Sequence, residues 1–236
     1  LGGHAVNLSS NDMQLSRGES VEDTAKTLSR YTNCIMARVY EHDLLEKLAE
    51  HATVPVINGL SDTFHPCQIL ADFMTIKEKK KKLKGLKIAW IGDGNNVCNS
   101  MVYGAALAGT NMSIATPKGF EPNKNVVNQA KKSTNIELTT DPFVATKNAD
   151  VIVADTFSSI HNLDKKRLQK FLPKYQVNDK LMKSGKKDAI FLHCLPAKRE
   201  QEVTSSVIDG PQSVVWDEAE NRLHTQKALL AALIRA

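Results

Sequence analysis

Short apolar segments rich in β-branched residues alternate along the chain with longer stretches whose apolar positions recur at helical spacing. Strands separated by helices in this way are typical of a parallel sheet covered by helices on both faces. The pattern therefore predicts an α/β fold built from doubly wound parallel sheets. The predicted strands are residues 34–39, 54–57, 86–91, 112–115, 136–139, 151–154, 189–192 and 213–216.

Two helix starts can be read from capping signals. Ser20, with Asp23 three residues later, resembles a capping box at the start of a helix. Near the end of the chain, Asp217 or Glu218 can begin a last helix that runs through Leu233. Both helices flank predicted strands, as the α/β pattern requires.

A lysine-rich segment, residues 77–84, divides the pattern into two α/β halves. We therefore expect a first domain over residues 1–78 and a second over residues 79–236. The chain begins at Leu1 with a loop-like Gly-Gly-His sequence, and its first half holds only two clear strands. A doubly wound domain usually has more strands, so we expect the first domain to be incomplete, with an N-terminal part upstream of Leu1.

Composition narrows the class of protein. The chain has 236 residues, of which 42% are hydrophobic, enough for a sizeable core. No apolar run approaches the roughly 18 residues of a membrane span, and the N-terminal sequence does not resemble a signal peptide. Four cysteines, at positions 34, 67, 98 and 194, form no Cys-x-x-Cys pair, which disfavours a zinc site and a disulfide framework and favours a reducing compartment.

The net charge of +5 owes much to the lysine-rich segment 77–84, which contains six lysines. A solvated helix end, whose cations suit the helix dipole, is favoured there over a nucleic-acid surface. No aromatic residue lies among these lysines to stack on a base. We therefore expect no nucleic-acid partner and no membrane partner.

A glycine-containing turn follows the strand predicted at residues 86–91. Its sequence is Gly-Asp-Gly-Asn-Asn, ending at Asn95 and Asn96, and a dinucleotide site is one interpretation of such a turn. However, Val97 stands at the third glycine position, and no acidic residue follows the next strand to bind a ribose. The favoured interpretation is a tight turn that presents Asn95 and Asn96 to a polar small molecule.

Two predicted strands end in groups that can carry chemistry. His193, Cys194, Leu195 and Pro196 follow one strand, and Asp155 follows another. Open α/β sheets bind ligands at the carboxyl ends of their strands. Asp155 is either a helix-capping or turn residue or a carboxylate that holds a ligand's ammonium group.

Four further polar residues have both a structural and a functional interpretation. His65 and Gln68 begin an amphipathic helix and share one face of it, so His65 is either a capping residue or a site residue. Arg38 ends a predicted strand and Arg222 lies in the first turns of the last helix. Each arginine is either part of a surface ion pair or a fixed donor to an anion.

The motifs taken in order carry a resemblance that covers almost the whole chain. The sequence resembles the ornithine carbamoyltransferases, and the cysteine of its HCLP motif and its DGNN loop favour them over the aspartate carbamoyltransferases. The motifs are ARVY around Arg38, HPCQILAD from His65, WIGDGNN ending at Asn96, ATPKG at 115–119, DTFSS from Asp155, HCLP from His193 and EAENR ending at Arg222.

The resemblance implies two α/β domains, the first binding carbamoyl phosphate and the second binding ornithine, with a final helix over residues 218–236 that packs back on the first domain. It also implies a homotrimer, or a multiple of trimers, with no metal and no organic cofactor. Gln14 matches, less securely, a position that reaches into a neighbouring subunit's site.

Site residues follow from the same resemblance. Those implied to bind carbamoyl phosphate are Arg38, His65, Gln68, Cys194, Leu195 and Arg222, of which Arg38, His65, Cys194 and Arg222 are the expected catalytic residues. Those implied to bind ornithine are Asn96, Asp155, Ser159 and Ile160. Cys194 and the Leu195 carbonyl would lie beside the attacking amine, with Cys194 orienting the amine or accepting its proton rather than acting as a nucleophile.

The sequence departs from the family pattern at two places. The phosphate-binding Ser-x-Arg-Thr-Arg motif of the family does not occur in the 236 residues, and we expect it upstream of Leu1. In the loop after Asp155, Phe157 replaces a common tryptophan, and Ile160 and His161 replace a methionine and a glycine. Binding of the amino acid by this loop is therefore the less secure part of the prediction.

The predicted reaction is carbamoyl transfer to the δ-amine of ornithine, giving citrulline and phosphate, as in arginine biosynthesis. A non-catalytic truncated paralogue that keeps the trimer surface is one alternative, and a carbamoyltransferase for putrescine or an acylated ornithine is another. An NAD-dependent dehydrogenase is disfavoured. We expect a cytoplasmic protein, or a mitochondrial matrix protein if an upstream segment carries a transit peptide.

Overall fold

A computed structural model describes residues 1–9, 13–157 and 165–234. A 3-10 helix over Gln14–Arg17 precedes the first α-helix. The strands are β1 Ile35–Arg38, β2 Val56–Leu60, β3 Lys87–Ile91, β4 Asn111–Ala115, β5 Ile136–Thr139, β6 Val151–Ala154 and β7 Ile190–His193. The helices are α1 Val21–Tyr31, α2 His42–His51, α3 Pro66–Lys80, α4 Asn96–Ala108, α5 Lys124–Ala130, α6 Pro142–Thr146, α7 Lys165–Phe171, α8 Asp179–Met182, α9 Ser205–Ile208 and α10 Val215–Leu233.

The α/β prediction is confirmed, and seven of the eight predicted strands are present with ends that differ by no more than two residues, except that β2 extends to Leu60. The strand predicted at 213–216 is wrong. Ser213 makes only an isolated parallel bridge to Phe191 within the described residues, and helix α10 already begins at Val215. Asp217 and Glu218 lie in the first turn of α10, where the helix dipole favours acidic side chains.

The second half of the chain forms a five-stranded parallel sheet in the order β5-β4-β3-β6-β7. From β3 the chain moves outward through β4 to β5 and then returns to add β6 and β7 on the other side of β3. The carboxyl ends of β3 and β6 therefore meet at the point where the strand order reverses. Ligands bind at such switch points in open α/β sheets.

Both faces of this sheet are covered by core side chains. Along β3, Ile88 and Trp90 pack into one apolar cluster, whereas Ala89 and Ile91 pack into the cluster on the opposite face. All four residues are fully buried. Burial on both faces explains why β3 is an almost continuous apolar run rather than an alternating one.

In the first half, β1 and β2 form a two-stranded parallel sheet. The predicted capping signal before α1 is confirmed, because the Ser20 side chain accepts a hydrogen bond from the Asp23 backbone N–H at 3.0 Å. Helix α3 follows β2 and ends at Lys80, and the next residue, Lys81, has a left-handed backbone. None of the described helices is long and apolar enough to cross a membrane.

Two cations of the lysine-rich segment form ion pairs with the second half of the chain. Lys79 pairs with Asp217 at 3.0 Å, and Lys80 pairs with Asp188 at 2.8 Å. These contacts support the interpretation of the segment as a helix end with paired and solvated cations.

The last helix, α10, packs along α3. The buried Asn221 side chain donates to Thr75 Oγ1 at 2.9 Å and to Glu78 Oε2 at 2.8 Å. Because Thr75 and Glu78 belong to α3, these hydrogen bonds join the end of the chain to its first half. The same packing brings the first turns of α10 next to the start of α3.

We expect Asn221→Ala to lower the free energy of unfolding by about 1 to 3 kcal/mol, because it removes a buried amide that donates to the buried Thr75 hydroxyl and to the Glu78 carboxylate. Leu223→Ala, at a position on the same helix whose side chain is 61% exposed, is the control and should change stability by less than about 0.5 kcal/mol. Denaturant unfolding of the two variants measures the difference. Equal stability losses would show that the Asn221 contacts do not hold the two helices together.

Candidate active site

The loop after β3 is held against the loop after β6. Asn95 caps α4, accepting from the backbone N–H groups of Val97 and Cys98 at 3.1 Å, and its amide donates to Asp155 Oδ2 at 2.6 Å. A Cβ atom on Gly94 would lie 2.2 Å from the backbone nitrogen of Pro122, so this position admits no side chain. The turn therefore brings Asn95 to Asp155, but it uses the Asn95 side chain for structure.

Asp155 and Cys194 meet across the ends of β6 and β7. The Cys194 thiol donates to Asp155 Oδ1 at 3.1 Å, and the same oxygen accepts the Thr156 backbone N–H at 2.7 Å. Burial, and then the negative charge of Asp155, raise the pKa of the Cys194 thiol well above its ordinary value. Cys194 is therefore a neutral hydrogen-bond donor, which argues against its acting as a nucleophile or as a proton acceptor.

The turn after β7 is shaped by a buried histidine. His193 is fully buried, and its Nδ1 accepts the Leu195 backbone N–H at 2.9 Å. That hydrogen bond fixes the tautomer with the proton on Nε2, which faces Glu202 Oε1 at 3.4 Å. Leu195 has a φ of +56°, so the histidine stabilises a backbone turn that a leucine rarely adopts. His193 shapes the turn that carries Cys194 and Leu195.

His65 lies at the N-terminus of α3 with a backbone N–H that donates to Ser100 Oγ at 2.7 Å. Its side chain is buried, and Nδ1 has no hydrogen-bond partner among the described residues. Burial, and then the positive charges of Arg222 and Arg38, lower the pKa of His65 to about 4, against the opposite effect of Asp155. The imidazole is therefore neutral at neutral pH and has an uncommitted ring nitrogen.

The same electrostatic effects show which predicted residues come together. Arg38 at the exposed end of β1, Arg222 on α10 and Asp155 after β6 are all close enough to His65 to act on its charge. Arg222 Nη1 also donates to Gln68 Oε1. Residues from distant parts of the chain therefore act on His65 at the start of α3, and Arg222 also contacts that helix directly.

Other predicted site residues have different surroundings. Asn96 donates from its amide to the Ser61 carbonyl at 2.7 Å and accepts the Val97 backbone N–H at 3.0 Å. Gln14 is exposed in the 3-10 helix, and the structure shows no hydrogen bond from its side chain to the other described site residues. Ser159 and Ile160 lie outside the described residues.

Three acidic residues of the site received no role from the sequence. Glu218 Oε2 accepts the His193 backbone N–H at 2.9 Å, and Asp72 accepts from Gln68 at 2.8 Å. Glu202, beside His193, is fully buried and accepts the Lys198 backbone N–H at 2.6 Å. Asp72 and Glu218 fall inside recognised motifs, but only the folded chain shows that these carboxyl groups are buried.

Asp155, His193 and Cys194 place possible metal-ligand atoms within 4.8 Å of one another. The donor set is poorly suited to a metal, because binding needs a thiolate and an uncommitted imidazole nitrogen. Here the thiol keeps its proton, and His193 Nδ1 is engaged by Leu195. The geometry therefore favours hydrogen bonding over metal binding by these residues.

Comparisons with known proteins agree over nearly the whole chain. Residues 1–78 match the family model described as aspartate/ornithine carbamoyltransferase, carbamoyl-P binding domain, and residues 84–233 match the Asp/Orn binding domain of the same family. An ornithine carbamoyltransferase from Cenarchaeum symbiosum is 64% identical over 99% of this chain and 77% of its own length. One from Methanosarcina acetivorans is 54% identical over 99% of this chain and 78% of its own length.

Solved structures give the same result. The ornithine carbamoyltransferase from Pyrococcus furiosus superimposes with a TM-score of 0.94 at 51% identity, covering 99% of this chain and 76% of that chain. The enzyme from Thermus thermophilus superimposes with a TM-score of 0.91 at 44% identity, covering 99% and 78%.

The lowered pKa of His65 predicts a pH-dependent loss of stability. Below pH 6.5 the unfolded chain binds a proton at this histidine that the folded chain does not bind until about pH 4, so this contribution to stability falls as the pH falls through that range. Between pH 7 and pH 5 we expect the wild type to lose about 2 kcal/mol more than His65→Gln. Denaturant unfolding at both pH values measures this difference.

His4→Gln, at an exposed position, is the control for that measurement and should leave the pH dependence of the wild type unchanged. Parallel pH curves for the wild type and His65→Gln would contradict the proposed neutral, desolvated state of His65.

The contact between Asp155 and Cys194 predicts a change in thiol reactivity. Asp155→Asn removes the negative charge that disfavours the thiolate, so alkylation of Cys194 by iodoacetamide should accelerate by about threefold or more, because the thiolate fraction rises faster than the intrinsic nucleophilicity falls. Peptide mass spectrometry after timed labelling measures the rate at each cysteine. Cys34, whose pKa is raised by burial alone, is the internal control, and an unchanged Cys194 rate would exclude the charge effect.

Proposed function

The chain belongs to the aspartate/ornithine carbamoyltransferase family, and we propose that its site transfers the carbamoyl group of carbamoyl phosphate to the δ-amine of ornithine, giving citrulline and phosphate. The observation that carries the proposal is that Arg38, Arg222 and Asp155 all act on the charge of the buried, neutral His65, while Asp155 also accepts a hydrogen bond from the Cys194 thiol. The two arginines suit an anionic carbamoyl donor, and the Asp155 carboxylate suits a basic amino acid. A non-catalytic role is not favoured by this assembled set.

Arg38 and Arg222 supply the positive charge of the anion side. In the proposed mechanism they neutralise the phosphate of the donor, and Gln68 contributes its amide oxygen to the carbamoyl group. His65, as a neutral imidazole, donates a single hydrogen bond to the carbamoyl oxygen, where negative charge grows as the amine attacks. A neutral imidazole suits this role, because an imidazolium cation would be attracted to the phosphate group of the donor instead of the carbamoyl oxygen.

Asp155 and Cys194 supply the amine side. The Asp155 carboxylate is proposed to hold the α-ammonium group of ornithine, and Asn96, Ser159 and Ile160 are proposed to bind the amino acid as well, the last two on the resemblance alone. The δ-amine resembles that of lysine, with a pKa of about 10.4 in water, and must lose a proton before attack. A desolvated pocket favours the neutral amine.

Cys194 and Leu195 are assigned to orienting this amine. The neutral thiol and the Leu195 carbonyl lie in the turn that His193 stabilises, so their positions are fixed before the substrate arrives. As the new N–C bond forms and the C–O bond to phosphate breaks, the departing phosphate can take the proton released by the amine. The proposed mechanism needs no metal and no organic cofactor.

We extend the proposal to assembly and cellular role. A homotrimer, or a multiple of trimers, is proposed, with the exposed Gln14 available to a neighbouring subunit's site. One relative, from Pyrococcus furiosus, is named an anabolic ornithine carbamoyltransferase, which supports a role in arginine biosynthesis. The four cysteines are free thiols, which supports a reducing compartment such as the cytoplasm.

The test is citrulline formation by the complete gene product that contains this chain. We expect ornithine to be carbamoylated in preference to putrescine and N-acetylornithine, because only ornithine offers Asp155 a free α-ammonium group. Preference for either other amine would overturn the substrate assignment.

Arg38→Ala, tested in the same assay, should lower kcat/KM for carbamoyl phosphate by roughly 100-fold, since removing one donor to a developing oxyanion costs about 3 kcal/mol. Arg30→Ala is the matched control, because Arg30 is an exposed arginine in the last turn of α1. An equal effect of the two variants would show that Arg38 acts only through net charge.

A further inference from the structure

Two buried carboxyl groups face each other where helices α3 and α10 pack together. Asp72 on α3 and Glu218 on α10 are each 1% exposed, accept the two hydrogens of the same Gln68 amide, and are close enough to hydrogen-bond to one another when one of them is protonated. Ionised carboxylates have only acceptor oxygens, so a hydrogen bond between them needs a proton on one of the two. The question is which residue carries it.

The surrounding N–H donors answer this question. Both oxygens of Glu218 accept N–H groups: Oε1 from Gln68 Nε2 at 3.0 Å and Oε2 from the His193 backbone at 2.9 Å. Asp72 accepts one, from Gln68 Nε2 at Oδ1 and 2.8 Å, and no other N–H group of the described chain is within hydrogen-bond distance of it. The oxygen that is free to carry a hydrogen therefore belongs to Asp72.

This arrangement fixes the orientation of the Gln68 amide. Its nitrogen gives one hydrogen to Asp72 and the other to Glu218, so its oxygen must point the opposite way, where it accepts from Arg222. Glu218 also holds the backbone of His193, the residue before Cys194. The carboxyl pair is thus in contact with both sides of the proposed active site.

We propose that Asp72 is a protonated positioning residue, which donates its hydrogen to a Glu218 carboxylate so that the pair holds the Gln68 oxygen and Arg222 in place for the carbamoyl donor. The proposal rests on the proposed function, because the group that Gln68 would serve is the carbamoyl group. Neither carboxyl group touches the substrate.

The electrostatic surroundings are consistent with one retained proton. Burial raises the pKa of both carboxyl groups, which favours a proton kept between them. Their mutual hydrogen bond and the positive charge of Arg222 lower the pKa of Asp72, whereas Asp72 raises the pKa of Glu218, so these effects alone favour a proton on Glu218. The assignment to Asp72 therefore rests on the two N–H groups that occupy both oxygens of Glu218.

Two isosteric variants separate this assignment from its alternatives. Asp72→Asn reproduces a protonated carboxyl group, because its oxygen can accept from Gln68 while its nitrogen donates to Glu218. Glu218→Gln cannot reproduce a carboxylate, because its nitrogen must face one of two N–H groups. The Gln68 amide would then turn over to avoid the clash and present its nitrogen to Arg222.

In citrulline formation by the complete gene product, we expect Asp72→Asn to keep kcat/KM for carbamoyl phosphate within about threefold of the wild type. Glu218→Gln should lower it by roughly tenfold or more, the effect of leaving a buried hydrogen-bonding group unpaired. The loss should appear mainly in KM for carbamoyl phosphate, with a smaller change in KM for ornithine. A purely structural role would instead change the unfolding temperature and leave KM of the folded enzyme unaltered.

Loss of activity in Asp72→Asn, or full activity in Glu218→Gln, would overturn the proposal, the first result even if Glu218→Gln fails to fold. A wild type that forms no citrulline would overturn the proposed function instead. In that case the protonation of Asp72 is tested without the reaction, by measuring how far added inorganic phosphate raises the unfolding temperature of each variant. That rise should be retained in Asp72→Asn and reduced in Glu218→Gln, and the reverse pattern would refute the assignment.

Discussion

The reversal of strand order beside β3 is the constraint on which the site depends. Parallel strands all end at the same edge of a sheet, and the helix after each strand packs on one of its two faces. Where the chain turns back from β5 to β6, the helices after β3 and β6 pack on opposite faces, which leaves a crevice between the ends of these two strands. The hydrogen bond from Asn95 to Asp155 spans that gap. Without the reversal, the groups contributed by these strands would not face a common cleft.

The return of α10 to α3 supplies what the sheet alone lacks. The sheet contributes the Asp155 carboxylate and the Cys194 thiol. Helix α10 contributes the Arg222 guanidinium group, which lies at the start of α3 near the buried His65. Burying acidic and basic groups together is costly unless each is paired. The hydrogen bonds of Gln68, Asp72, Glu218 and Arg222 meet that requirement. The groups that organise the site are therefore also the groups that allow the two halves of the chain to pack.

Hydrophobic periodicity predicted most of the fold because buried parallel strands leave a direct mark on the sequence. Periodicity gave a wrong strand at 213–216, because a short apolar run before a helix has the same pattern as a strand. In the described part of the structure Ser213 makes only one isolated bridge, to Phe191. Motifs pointed to Arg38, His65, Asp155 and Arg222, and in the folded chain the charges of the other three residues act on His65. The motifs could not assign Asp72, Glu218 or Glu202, because burial of an acidic residue is decided by distant packing and not by its neighbours in the chain.

The contact at Gly94 bears on how this scaffold can diversify. There the turn after β3 lies backbone to backbone against residues 120–122, so no side chain can be introduced without separating the two segments. Position 94 is therefore closed to evolutionary or engineered change. Variation of this turn is left to the neighbouring positions, which already carry side chains that can be exchanged together with their partners.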